Sequence, residues 1–174
     1  MTKFKEQYCM QQTTTQLVEI KLIGITTKVN NAHIFETDPS INKVAATVQK
    51  YFHNELAAKI PNRKNPGTTF CVYTDYESDF NGDHTYFIGE EVTIFEGVNK
   101  SFVTLIIPAQ NYAKFTNQPG PMPAVCIDMW QRIWKMSTAD LCGKRAYIAD
   151  FEIYDNRSVD HNNVILDIYI GIKK

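Results

Sequence analysis

Residues 146–154 (AYIADFEIY) and 164–172 (VILDIYIGI) are two β-branched and aromatic runs separated by the polar segment 155–163. Runs of this length and composition predict two antiparallel strands. Side chains alternate between the two faces of a strand. The apolar sets, which we expect to form one core, are Tyr147, Ala149, Phe151 and Ile153, with Leu166, Ile168, Ile170 and Ile172. The second face would carry Asp150, Glu152, Tyr154, Asp167 and Tyr169.

A helix and a strand precede these two strands. Residues 124–136 place apolar side chains at three- and four-residue steps, which predicts an amphipathic helix after the proline-containing break 118–123. Its inward side comprises Cys126, Met129, Trp130, Ile133 and Trp134. Residues 102–108, with an extension at 111–115, are predicted to form the strand before the helix. The second half of the chain therefore reads strand, helix, strand, strand.

The first half repeats this order. Residues 16–28 predict the first strand, and Asp38 and Pro39 predict the start of a helix through Leu56. The runs 69–76 and 85–95 predict a hairpin-like pair of strands. The fold class is therefore α+β: two βαββ repeats with pseudo-twofold symmetry, a largely antiparallel sheet, two main helices and a central ligand cleft. We expect a single domain spanning residues 1–174, with repeats at about 15–97 and 98–174.

Composition excludes several classes of function. The 174 residues carry a net charge of -1, so no global field attracts nucleic acid or an anionic membrane. Residues 1–15 lack a signal-like apolar run, which favours a cytoplasmic protein. The cysteines at positions 9, 71, 126 and 142 and the four histidines are scattered. That spacing predicts no disulfide framework and no metal site, and no phosphate-loop or dinucleotide motif calls for a cofactor.

The acidic and aromatic face suggests a chemistry. A carboxylate among aromatic rings attracts organic cations by charge and by cation–π interaction. The same carboxylate, when desolvated, has a raised pKa and can act as a general acid or base. A solvated sheet face explains the same alternation. Trp130 and Trp134 could line such a pocket, although tryptophans at helical spacing are also typical of a core.

Several segments together resemble the GyrI-like small-molecule-binding superfamily. They are Gly24 and Ile25, then 73–79 (YTDYESD), 86–92 (YFIGEEV), 107–109 (IPA), 112–115 (YAKF), 150–154 (DFEIY) and 168–170 (IYI). The superfamily includes effector-binding domains of AraC-type and MerR-type multidrug regulators, gyrase-inhibitory proteins and integron-cassette effector-binding proteins. The resemblance runs from about residue 17 to residue 172.

The resemblance implies a cleft near the pseudo-twofold axis with a buried acidic residue, here Glu152. Tyr169, Tyr73, Tyr112 and Phe115 match segments that line the family's pocket. Trp130 and Tyr154 complete the expected ligand-binding set. The chain departs from the pattern at Cys71, where members often have glycine, at Gly171, where they often have proline, and in a first helix without tryptophan.

Three functions stay open at this stage. The first is a stand-alone effector-binding protein for hydrophobic cationic small molecules, without a DNA-binding domain. The second is a cofactor-free hydrolase of electrophilic, for example cyclopropane-bearing, compounds, in which Glu152 acts with Tyr73 or Tyr112. The third is an interaction protein that acts on gyrase or on transcription. We expect a monomer or homodimer, a hydrophobic or cationic small-molecule ligand, and no direct contact with nucleic acid or a membrane, while a protein partner stays open.

Overall fold

One antiparallel sheet and two helices organise the part of the chain that the structure describes. The structure is a computed structural model, and it describes residues 10–34, 36–38 and 40–174. The helices are α1 (Lys43–His53) and α2 (Ala124–Ile133). The strands are β1 (Met10–Leu17), β2 (Ile20–Asn30), β3 (Thr69–Thr74), β4 (Asp83–Glu91), β5 (Val103–Ile107), β6 (Gln110–Asn117), β7 (Lys144–Arg145), β8 (Ala149–Tyr154) and β9 (Asp167–Lys173). The predicted α+β class is confirmed. Cys9 lies outside the described residues.

The order of the strands shows the pseudo-twofold relation between the halves. The path runs β1-β6-β9-β8-β3-β4-β2-β5, with β7 attached to β9. The units β2-α1-β3-β4 and β6-α2-β8-β9 are each βαββ, and their sheets meet where β3 pairs antiparallel with β8. Matching the registers of the two halves makes Cys71 and Glu152 equivalent, and these two residues are direct cross-strand partners. The local twofold axis therefore passes between them.

The strand predicted at 16–28 is two strands. It contains the end of β1 and most of β2, with a break at Val18 and Glu19. β1 was not predicted because its sequence, MQQTTTQL, is polar and mostly exposed. It pairs with β6, while β5 pairs with β2, and the two ladders keep one register across the breaks. Each half therefore contributes one strand to the edge of the other.

Both faces of the sheet are buried, which corrects the expectation of a single core face. Phe151 pairs with Tyr169 and Glu152 pairs with Ile168, so the apolar residues of β8 and β9 point in opposite directions. On one face, α1 and α2 cover separate apolar clusters. On the other face, Phe151 lies in a cluster whose buried members all belong to strands, so the sheet curves around it.

The first helix begins later than predicted. Asn42 caps α1 by accepting a hydrogen bond from the backbone N–H of Ala45 at 3.0 Å. Asp38 instead accepts from the N–H of Ser40 in the preceding turn, and Pro39 lies outside the described residues. Within α1, Tyr51 is fully buried and Phe52, which periodicity assigns to the core, is 57% exposed.

We expect Gly89→Ala to destabilise the fold by about 2–3 kcal/mol. Gly89 pairs with Gly24 across β2 and β4, and a Cβ at position 89 would overlap the backbone oxygen of Ile23. Urea unfolding followed by circular dichroism measures the change, with exposed Thr104→Ala as the control. Equal stability of the Gly89→Ala and unaltered proteins would contradict this close approach of the strands.

Candidate effector-binding site

A buried glutamate lies at the junction of the two halves. Glu152 is in the middle of β8, opposite Cys71 of β3, and is only 3% exposed. Its side chain points to the sheet face that α2 covers, because its other cross-strand partner, Ile168, belongs to the cluster beneath α2. The sequence-based expectation of a sheltered carboxylate at this position agrees with this geometry.

Four neutral groups donate to this carboxylate. Oε1 accepts from Trp130 Nε1 at 2.6 Å, from Tyr73 OH at 3.1 Å and from the Cys126 thiol at 3.6 Å. Oε2 accepts from Tyr154 OH at 2.6 Å. None of the ion pairs among the described residues includes Glu152. The site therefore holds a buried acid that has hydrogen-bond donors but no counter-charge.

The fold explains where these donors come from. Tyr73 and Tyr154 each lie two residues beyond the twofold-related pair, so symmetry places one tyrosine on each side of the carboxylate. Cys126 and Trp130 are four residues apart on α2, and that spacing aligns them on one helical face. No tryptophan occupies α1. The donor set is thus symmetric in its tyrosines and asymmetric in its helix.

Burial dominates the electrostatics of the cluster. It raises the pKa of Glu152 above the ordinary value of 4.5, although the hydrogen bonds from Tyr154, Trp130 and Tyr73 oppose this effect. Burial also raises the pKa of Tyr73 and Tyr154 well above the usual range, and the Glu152 charge adds to the effect. Both phenols therefore stay protonated and act as donors.

Asp150, which lies two residues before Glu152 on β8, belongs to a buried ion pair. Asp150 Oδ2 accepts from Arg145 Nη2 at 2.6 Å and from Tyr76 OH at 2.7 Å, and Oδ1 accepts from the N–H of Gly171 at 2.8 Å. Burial raises the pKa of Tyr76, and Asp150 adds to this. Unlike Glu152, Asp150 therefore has a cationic partner within the protein.

The cavities near the site are small or offset from it. One cavity of about 20 Å³ is lined by Asn31, Ile34, Tyr73, Tyr76, Phe80, Trp130, Trp134 and Arg145. A second, of about 460 Å³, lies between the end of β2 and the start of α1, and Ile34 lines both. Glu152 lines neither of these two cavities, so the open ligand cleft predicted beside it is not present in the geometry that the described residues form. Tyr73 and Trp130 stand between its carboxylate and the smaller one.

The predicted ligand-binding residues fall into two groups. Tyr73, Trp130 and Tyr154 gather around Glu152, and Phe115 packs in the cluster that contains Trp130. Tyr112 and Tyr169 lie on the opposite sheet face, where both rings contact Phe151. The sheet therefore separates these two tyrosines from Glu152, and their predicted contact with the same ligand has no support in this geometry.

Sequence reasoning missed part of the site. Arg145 lies in β7, whose two residues are too short for a periodic signal. Cys126 was expected only as a core residue of α2, whereas Trp134, which was considered as a possible pocket residue, does line the small cavity. Phe80, which stacks on Trp134 with ring centroids 5.7 Å apart, belongs to a loop with no signal of its own. The shared parity of Asp150 and Glu152 was the one indication of a second buried acid.

The curved sheet, its two helices and the buried acid with aromatic donors define a GyrI-like effector-binding domain. A family model described as integron-associated effector binding protein, Cass2, matches residues 14–172. The chain therefore belongs to this family of effector-binding proteins, and the resemblance seen in the sequence is confirmed.

Individual relatives agree with this assignment. The integron cassette protein VCH_CASS2 of Vibrio cholerae is 25% identical, with a TM-score of 0.75 over 97% of this chain and 100% of that one. The structure of SAV2435 bound to tetraphenylphosphonium is 14% identical, with a TM-score of 0.73 over 94% of each chain. The "Putative transcriptional regulator protein YobU" of Bacillus subtilis (strain 168) is 23% identical over 154 residues, which are 88% of this chain and 92% of the relative.

Two further observations concern membrane-spanning helices and cysteines. No helix in the described ranges has the length and apolar character needed to cross a membrane. Cys71, Cys126 and Cys142 are free thiols.

We expect the stability of the unaltered protein relative to Glu152→Gln to fall as pH rises. The raised pKa means that the folded state binds the Glu152 proton more tightly than the unfolded chain does. The resulting stabilisation is fully present below the ordinary pKa and is lost as pH rises through the folded-state value. Urea unfolding between about pH 4 and pH 8 measures the difference in the free energy of unfolding. Glu19→Gln, at an exposed position, is the control. If the free energy of unfolding of the unaltered protein, relative to that of Glu152→Gln, rose with pH, the assignment would be contradicted.

Proposed function

We propose that this effector-binding protein takes hydrophobic organic cations and that Glu152 is their counter-charge. The observation that carries the proposal is the buried carboxylate with four neutral donors and no cationic partner. Burying an unpaired acid is costly. A ligand that brings a positive charge would relieve that cost, whereas a neutral or anionic ligand would not.

The rings around Glu152 suit an apolar cation. Tyr73 contacts Trp130 at a centroid distance of 5.0 Å and Tyr86 at 5.4 Å, both edge to face. Aromatic walls supply apolar contact area and attract cations through their π-systems. SAV2435, which shares this fold, was solved with tetraphenylphosphonium, an aromatic cation. Multidrug binding by this chain would follow from such a non-directional pocket.

The described geometry is a closed one. Pockets for drug-sized ligands have volumes of about 300–1,000 Å³, while the cavity beside Tyr73 and Trp130 holds about 20 Å³. A cation reaches Glu152 only when the donors now on the carboxylate give way. Trp130 has the largest side chain among them and comes from a helix, so movement of α2 or rotation of the indole would open the site.

The connection between β2 and α1 would form the entrance. Asn31 donates from Nδ2 to the backbone oxygen of Phe80 at 2.6 Å, which ties this connection to the β3–β4 loop. Ile34 lines both the small cavity and the 460 Å³ pocket, and its displacement would join the two. The larger pocket is then the approach for the ligand.

Binding rather than catalysis is the function that this site favours. A hydrolase would use Glu152 as a base or acid toward a bound substrate. Here both carboxylate oxygens accept hydrogen bonds from tyrosine or tryptophan, which hold the negative charge in a fixed position, as the binding of a cation requires. We propose a cytoplasmic sensor that reports ligand binding to a protein partner, and the relative named as a transcriptional regulator supports that role.

Glu152→Gln should weaken the binding of tetraphenylphosphonium by about ten- to hundred-fold. The substitution removes the negative charge and keeps the shape of the side chain. Isothermal titration calorimetry measures the dissociation constant. The unaltered protein should also discriminate strongly against tetraphenylborate, which has the same shape and the opposite charge.

Glu90→Gln is the matched control for this experiment. Glu90 is also a buried glutamate, but it lies in the first half and pairs with Arg63 at 3.5 Å. We expect it to leave the affinity for tetraphenylphosphonium unchanged. Equal affinity of the unaltered and Glu152→Gln proteins for this cation would remove the proposed counter-charge.

Trp130→Phe should tighten cation binding by roughly five- to ten-fold. The change keeps an aromatic ring in the cavity and removes the N–H that competes for Glu152 Oε1 at 2.6 Å. Calorimetry with tetraphenylphosphonium measures the effect, and Trp134→Phe is the control because Trp134 lines the same cavity without a hydrogen bond to Glu152. Weaker binding by Trp130→Phe would show that the indole holds the ligand instead of competing with it.

A further inference from the structure

A charged residue, Arg145, lines the small cavity beside Tyr73 and Trp130. The side chain of Arg145 is 9% exposed, and its Nη2 donates to Asp150. Its other two nitrogens, Nε and Nη1, are buried and have no acceptor in the part of the chain that the structure describes. Buried donors without partners are rare and destabilising. Their presence in a cavity wall therefore points to a ligand.

The neighbouring rings do not satisfy these donors. The guanidinium lies over the ring of Tyr147 at 4.4 Å and 5.9 Å from the ring centre of Phe80. Such contacts involve the faces of the rings and hold the cation in place. The N–H groups point outward in the guanidinium plane and need an acceptor there.

The local charges indicate what kind of acceptor fits. Arg145 and Asp150 neutralise each other, so together with Glu152 the three groups carry one negative charge. A ligand with one positive charge balances this total. A ligand carboxylate at Arg145 would restore the net negative charge and would lie close to Asp150, whose carboxylate is fully buried. A neutral oxygen has neither drawback.

We propose that Arg145 is a ligand-binding residue that donates from Nε and Nη1 to a neutral carbonyl or amide oxygen on the aromatic cation. This assignment rests on the proposed function, because Glu152 binds the cationic end. Rings in contact connect the two ends: Trp130 is 6.3 Å from Trp134, and Trp134 is 5.7 Å from Phe80, measured between ring centres. Asp150, which accepts from Arg145 at 2.6 Å, and Glu152 are two residues apart on one face of β8, which is roughly 7 Å along a strand. The effector class is therefore an aromatic monocation that carries an oxygen acceptor about one ring away from its charge.

Matched small cations test this assignment. The probes are trimethylanilinium ions with an acetyl group in the meta or para position, and the same ions with an isopropenyl group, which has a similar shape but no acceptor. The only two tryptophans of the chain, Trp130 and Trp134, both line the cavity, so their fluorescence reports binding directly. Calorimetry provides the second readout.

The unaltered protein should bind at least one acetyl isomer about ten-fold more tightly than its isopropenyl analogue. The double variant Arg145→Met with Asp150→Asn keeps the net charge and removes the spare donors. It should reduce the ratio of the two affinities, acetyl over isopropenyl, to about one. Equal affinity of the unaltered protein for both members of each pair would overturn the proposal, even if the double variant does not fold.

Two more arms separate this proposal from the one on which it rests. Glu152→Gln should weaken the binding of acetyl and isopropenyl ions by the same factor. If Glu152→Gln binds both ions as tightly as the unaltered protein does, the proposed role of Glu152 as counter-charge is wrong. The role of Arg145 is still tested separately, by the preference of the unaltered protein for the acetyl ion. The corresponding carboxylate probes should bind more weakly than the acetyl probes. Tighter binding of a carboxylate would overturn the assignment of a neutral acceptor.

Discussion

A buried carboxylate without a buried cation is the constraint around which this domain is arranged. Glu152 lies at the local twofold axis, where β3 and β8 join the halves, so its hydrogen bonds connect both halves of the sheet and α2. Neutral donors soften the cost of burial but do not remove it, since the pKa of Glu152 is still raised. A fold that keeps such a group is less stable than it could be, and a binding function explains why the group is kept despite the loss of stability.

Some residues of the site obey the twofold relation between the halves, and others depart from it. The twofold relation supplies Tyr73 and Tyr154 as an equivalent pair on either side of Glu152. Two departures from symmetry make the halves of the site different. The equivalent of Glu152 is Cys71, and Trp130 on α2 has no tryptophan counterpart on α1. A symmetric site would contain two adjacent acids, which repel each other and would not ionise together. Cysteine at position 71 leaves a single charge in the junction.

Periodicity predicted most of the fold because long β-rich and amphipathic segments leave clear patterns. It located α2 and the strands around Glu152, and the family resemblance added the buried acid. It failed where local pattern does not determine the outcome. β1 is polar, and only its pairing with a strand about a hundred residues later makes it a strand. Tyr112 and Tyr169 have the right residue type, but strand register places them behind the sheet. Arg145 became visible only through its unpaired nitrogens.

The exchanged edge strands have a consequence for how the chain matures. β1 is the first described segment to leave the ribosome, yet its partner β6 follows much later, and β5 must return to β2. The first half of a nascent chain therefore cannot complete its sheet before the second half is made. Until then, β1 and the edge of β2 keep unpaired backbone groups. Cutting the gene between the halves would yield two fragments, each with a missing border strand, that regain their shape only by association.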